Sequence, residues 1–97
     1  MLIGYARTST IDQAVGFAAQ LVELDAYGCE RTYQEQVSAV ASRHELETAI
    51  DMLRKGDKLV VTKLDRLARN VMHMGELLQQ IEAKGAGLVI LLSLIHI

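Results

Sequence analysis

Leu59-Val60-Val61-Thr62 is the stretch that decides the fold. It is apolar and β-branched at successive positions, so both of its faces need burial. A strand of that kind suits the centre of a parallel sheet covered by helices on both sides. Segments of helical period flank it. Upstream, His44 to Lys55 places Leu46, Ile50 and Leu53 on one face, and Gly56-Asp57 ends the helix with a tight turn. Downstream, Arg66 to Lys84 carries Leu67, Val71, Met74, Leu78 and Ile81 as an apolar stripe, and Gly85 closes it.

The same alternation continues outward. Asp12 to Ala26 reads as a helix, with Ala14, Phe17, Leu21 and Leu24 on its core face and Gly28 as its stop; Gly16 weakens its first turn. Leu2 to Tyr5 is a short apolar strand, Arg31 to Glu35 a β-leaning one, and Gly87 to Leu92 an apolar fourth. Gln36 to Ser42 has no period and reads as a loop that delivers Arg43 to the front of a helix. The order strand, helix, strand, helix, strand, helix, strand predicts an α/β three-layer sandwich. Its sheet is mostly parallel and four-stranded, with right-handed crossovers. Ligands in such sheets bind at the carboxyl ends of the strands. There is no internal repeat and no low-complexity tract.

Composition narrows the function. A chain of 97 residues is one small domain, and 51% hydrophobic with 23% charged residues is globular. The net charge of −2 gives no general attraction to a polyanion, so binding one requires a local cluster of cations. The single cysteine, Cys29, excludes an internal disulfide and reads as packing filler. There is no signal-peptide pattern and no apolar run approaching ~20 residues, so the expectation is a cytoplasmic protein without a membrane span. His44, His73 and His96 have no metal-ligand spacing with each other or with Cys29, so no metal is expected.

Two stretches carry chemistry. The first is Leu2-Ile3-Gly4-Tyr5-Ala6-Arg7-Thr8-Ser9-Thr10. A serine directly after a strand and before a helix is rigidly held with its hydroxyl exposed. A hydroxyl needs neighbours that activate it and hold the charge it creates. Arg7 is two residues away, which on an extended backbone points to the same side as Ser9. The plainer reading makes Ser9 or Thr10 a helix cap. The second stretch is Lys63-Leu64-Asp65-Arg66-Leu67-Ala68-Arg69-Asn70, at the start of the third helix. Arg66 and Arg69 are neighbours on one helical face, and Asp65 stands four before Arg69, within pairing reach. The architecture puts both stretches on one edge of the sheet. With Arg7 and Arg43, four guanidiniums then converge on one serine. Guanidinium forks match phosphate oxygens and stay charged. Fixed arginines favour the extra negative charge of an attacked phosphodiester over its ground state, as catalysis requires. Ordinary surface salt bridges explain Asp65 with Arg69. They do not explain why arginines collect on the edge that carries Ser9.

On Tyr5-Ala6-Arg7-Thr8-Ser9-Thr10-Ile11-Asp12-Gln13 and Lys63-Leu64-Asp65-Arg66-Leu67-Ala68-Arg69, the chain resembles the serine recombinases, the resolvase and invertase group. The resemblance covers Leu2 to Leu91. It implies a resolvase-type catalytic domain over 1–92 that attacks a DNA phosphate through Ser9, leaving a covalent 5′-phosphoserine link and a free 3′ hydroxyl. The half-complexes then rotate and are rejoined without metal, ATP or other cofactor. It implies Arg7 as the adjacent phosphate-binding partner. Arg43, Asp65, Arg66 and Arg69 make up the rest of the cluster, with Gln13 and Lys63 as phosphate or DNA contacts. The implied partner is DNA, bound by a homodimer that assembles into a tetramer, with no small-molecule cofactor and no membrane.

The chain departs from the family pattern in three places. About two extra residues precede Gln20-Leu21. The loop reads Ser38-Ala39 and Arg43-His44, where the family has serine-glycine and arginine-proline. The family also continues past this point with another strand, a long dimerising helix and a helix-turn-helix domain. Residues 93–97 read as a non-native tail. Two other readings compete with an active recombinase: an inactive fragment that only self-associates or interferes, and a generic phosphate-binding α/β domain. The last lacks a glycine-rich loop after the first strand.

Overall fold

The structure is a computed structural model and describes residues 1–8, 14–36, 44–63, 71–91 and 95–96. The elements in order are β1 (Leu2–Thr8), α1 (Ala14–Tyr27), β2 (Arg31–Gln36), α2 (His44–Asp51), β3 (Lys58–Val61), α3 (Val71–Ala83), β4 (Gly87–Ile90) and β5 (Ile95–His96). They form one sheet in the order β2-β1-β3-β4-β5. The first four strands are parallel, as the alternating sequence predicts.

The two faces of the sheet follow the period of two in its strands. Ile3 and Tyr5 of β1, Leu59 and Val61 of β3, and Leu88 and Ile90 of β4 point to one side. There they meet Leu46, Ala49 and Ile50 of α2, Leu53 just beyond it, and Leu77 and Ile81 of α3. Ala6, Val60 and Val89 point to the other side, where Leu24, Phe17 and Leu21 of α1 cover them. Gly4 shares that face. A Cβ on it would lie 2.9 Å from Thr32 Oγ1, 3.2 Å from Cys29 Sγ and 3.3 Å from Leu24 Cδ1. Here glycine is what lets α1 approach the sheet. Burial pushes the Cys29 thiol up to about 11, with help from Asp25. It stays protonated and serves as packing, as expected from sequence.

Several boundaries differ from the sequence reading, each for a local reason. The second helix ends at Asp51 instead of Lys55. Asp57 takes the Arg54 N–H on its Oδ2 at 2.9 Å and returns its own N–H to the Arg54 carbonyl at 2.9 Å. That side chain outcompetes the helical pattern. The stripe on α3 is Met74, Leu77, Leu78 and Ile81; Val71, counted in the stripe from sequence, is 89% exposed in the first turn. The stripe residue Leu67 lies outside the described residues. Gly28 and Gly85 close α1 and α3 with φ of 103° and 72°. In each case the next residue donates to a carbonyl five back, Cys29 to Leu24 and Ala86 to Ile81. To the four strands expected, the structure adds β5, antiparallel to β4 with Ile90 opposite Ile95 and Val89 opposite His96. A strand running back beside its predecessor needs only a short connection. The β4 edge is covered there.

Asp57 also ties the amino terminus to the sheet, its Oδ1 accepting from the Met1 ammonium at 2.9 Å. This bond and the one from the Arg54 N–H hold its carboxyl below the usual range. The stabilisation is therefore present above the ordinary aspartate value of ~3.9 and is lost as pH falls through the lowered one. Asp57→Asn is expected to melt below wild type at neutral pH, with the gap closing below about pH 4. Thermal melts across pH check this, and a gap that persists into acid contradicts it. Gly4→Ala is expected to cost about 1–3 kcal/mol through overpacking. Gly75→Ala, in a helix with nothing near its Cβ position, should gain roughly 0.5–1 kcal/mol. Urea unfolding of both variants measures the contrast.

Candidate active site

The strand order reverses between β1 and β3. The chain moves from β1 to β2 on one side, then returns across β1 to β3, β4 and β5. At such a switch point the helices leave on opposite faces, and a crevice opens beyond the carboxyl ends of the two central strands. Here α1 covers one face, and α2 and α3 the other.

The register shows how the two central strands differ at this end. β1 pairs with β2 along Ile3 to Thr8, but with β3 only along Leu2 to Gly4. Past Gly4 the two central strands part. The N–H and C=O of Arg7 would otherwise be orphaned, at a cost of ~1–3 kcal/mol each. Gln20 of α1 satisfies both. Its Oε1 accepts from the Arg7 N–H at 3.2 Å, and its Nε2 donates to the Arg7 carbonyl at 3.0 Å. The amide thus takes the place of an absent strand. It is buried, 5% exposed.

Arg7 is likewise buried, and the ladder sets it opposite Glu35 of β2. Opposed residues share a face, so Arg7 and Glu35 both lie on the α2 side of the sheet. Glu35 is held from two directions. Its Oε1 accepts from the Tyr5 hydroxyl at 2.7 Å and from the Leu46 N–H, in the first turn of α2, at 3.0 Å. Past the end of β3, Thr62 is buried and its Oγ1 has no hydrogen-bond partner, while Lys63 is exposed.

Of the residues singled out from sequence, the structure places Arg7 and Lys63 at the carboxyl ends of β1 and β3, on either side of the crevice. Ser9, Gln13, Arg43, Asp65, Arg66 and Arg69 lie outside the described residues. Sequence reasoning missed Gln20, Glu35 and Tyr5. Glutamine at a helical position and glutamate in a strand give no periodic signal of their own. The usable sign was a pair of polar residues at positions the pattern would bury. Among the described residues no cluster of three or more His, Cys, Asp or Glu is arranged to hold a metal. No helix among them is long and apolar enough to cross a membrane.

Comparison with known proteins agrees with the fold. Residues 2–95 match the resolvase N-terminal domain. The chain belongs to the resolvase family. It is 42% identical over 89 residues to the integrase-like protein y4lS of Sinorhizobium fredii, covering 90% of this chain and 48% of that protein. It is 42% identical over 83 residues to the Tn917 resolvase of Enterococcus faecalis, covering 84% of this chain and 44% of that protein. The chain thus spans about half the length of these relatives. Its fold matches the catalytic domain of the IS607-like serine recombinase ISC1926 TnpA. The TM-score is 0.82 at 20% identity, over 93% of this chain and 66% of that one.

In this resolvase domain, Gln20→Leu keeps the side-chain volume and removes both amide contacts. It is expected to lower stability by about 1–3 kcal/mol for each orphaned group of Arg7. Amide exchange at Arg7 should accelerate together with the loss in urea stability. Unchanged protection at Arg7 would show that the strand end is held some other way.

Proposed function

We propose that this chain is the catalytic domain of a site-specific DNA recombinase and that Ser9 is its nucleophile. The observation that carries this reading is the topology. The chain leaves β1 toward Ser9 and leaves β3 toward Asp65, Arg66 and Arg69, and β1 and β3 are adjacent at the switch point. Membership in the resolvase family supports the same assignment.

In this reading Ser9 Oγ attacks the scissile phosphorus. The bond to the 3′ oxygen breaks, the DNA 5′ end stays on the serine as a phosphodiester, and the 3′ oxygen leaves as a hydroxyl. The proton lost by Ser9 is matched by the one gained at the 3′ oxygen. Rejoining is the reverse attack, and the phosphoserine bond conserves what it needs. Arg7, Arg43, Arg66 and Arg69 hold the charge that builds on the phosphate, and Asp65 orients Arg69. Gln13 and Lys63 contact phosphate or DNA. No metal or other cofactor enters the reaction. The domain covers 1–92 and acts in the cytoplasm as part of a homodimer that pairs into a tetramer on DNA. The alternative is an inactive module that only self-associates or interferes with a full-length partner.

A chimera that carries this whole chain in place of the matched half of the Tn917 resolvase separates the two readings. On that resolvase's DNA site with a nick that traps the intermediate, the chimera is expected to form a covalent adduct. Ser9→Ala should abolish the adduct while leaving DNA binding nearly unchanged. Arg66→Ala and Arg69→Ala should each slow it on the order of 10²-fold or more. No adduct from the chimera supports the inactive module, and adducts that persist in Ser9→Ala move the nucleophile to Thr8 or Thr10.

A further inference from the structure

We propose that Glu35 is a positioning residue that sets the start of α2, and with it Arg43, against the strand that leads to Ser9. The inference rests on the catalytic reading above.

Glu35 is the last described side chain of β2, and α2 opens at His44. Its carboxylate reaches across eleven positions of sequence to the Leu46 N–H at 3.0 Å. The first N–H groups of a helix have no partner within it, and an acceptor there both satisfies one and complements the helix dipole. Helix starts are usually capped by a residue adjacent in sequence. Here the acceptor comes from the neighbouring strand. It therefore fixes where α2 starts relative to the sheet, which a local cap would not do.

The same oxygen accepts from the Tyr5 hydroxyl at 2.7 Å. Tyr5 is fully buried in β1, two residues before Arg7 and four before Ser9. One oxygen thus joins β1, β2 and the first turn of α2. In the sequence Arg43 immediately precedes His44, the first residue of α2. Glu35 itself is 7% exposed, with its recorded oxygen engaged inside the fold. Its effect on a bound phosphate passes through the groups it holds.

A residue that only holds the fold together and one that positions Arg43 predict different epistasis. In the chimera, Glu35→Ala and Tyr5→Phe are expected to slow adduct formation on the order of 10-fold to 100-fold, as small misplacements do, without weakening DNA binding. Glu35→Gln keeps an oxygen that accepts both hydrogen bonds and should stay close to wild type. Arg43→Ala should be slower than either Glu35→Ala or Tyr5→Phe. Adding Glu35→Ala to it should slow the reaction no further, because the residue it positions is gone. In the chain alone, Glu35→Ala should speed amide exchange at Leu46 more than at Leu88 in β4. The proposal is overturned if Glu35→Ala and Arg43→Ala multiply. It is equally overturned if Glu35→Gln is as slow as Glu35→Ala, or if Leu46 exchange does not change. A chimera without any adduct sinks the catalytic reading, and this proposal falls with it. A wild-type chimera that reacts, with Glu35→Ala unaffected, sinks this proposal alone.

Discussion

The parting of β1 from β3 past Gly4, closed by the Gln20 amide, is the constraint on which the rest of this domain depends. A parallel strand in the middle of a sheet normally bonds to both neighbours. Here β1 keeps its full ladder to β2 and gives up half of its ladder to β3. The backbone groups released would be costly in a buried place. An amide is the one neutral side-chain group that both accepts and donates with a spacing close to that of a peptide. With Gln20 in place, the carboxyl end of β1 is held from α1 without filling the crevice beside it. The shortened β1–β3 ladder thus rests on a satisfied backbone, not on a loose one.

Buried charge organises the other side of the same edge. Arg7 and Glu35 are both enclosed, and register sets them opposite each other. Isolated charges in such surroundings are strongly disfavoured, and buried ones are paired or hydrogen-bonded. Glu35 meets this requirement with Tyr5 and the Leu46 N–H. The amino edge of the sheet is built differently. There Asp57, itself buried, pairs with the half-exposed Met1 ammonium and closes the turn at Arg54. In the proposed reading the polar groups buried at the carboxyl edge serve chemistry, whereas the Asp57 tether serves stability.

Much of this was legible in the sequence. The alternation of strands and helices and the apolar run at Leu59–Val61 identify the parallel sheet, because burial on both faces leaves a direct mark on composition. Leu46 and Ile50 on the core face of α2, and Leu53 in the core just beyond it, were placed by spacing alone. The early end of α2 was not legible, since it depends on one side chain, Asp57, competing with a helical pattern. Val71 keeps the phase of Met74, Leu78 and Ile81 yet is exposed, because periodicity shows which residues line up, not which of them the core reaches. The short β5 was missed because two residues carry no period. At the site, arginines and a serine stand out by type. Gln20 and Glu35 do not, since their roles arise from contacts across 13 and 11 positions of sequence.

The central claim is that the crevice between the carboxyl ends of β1 and β3 receives DNA phosphate. Amide chemical shifts of the 97-residue chain, followed while a short DNA duplex is added at low salt, test it most directly. The account predicts shifts concentrated at Arg7, Thr62 and Lys63, fading as salt rises. Shifts concentrated instead at Arg31, Arg54 and Asp57, on the opposite edge, would contradict it.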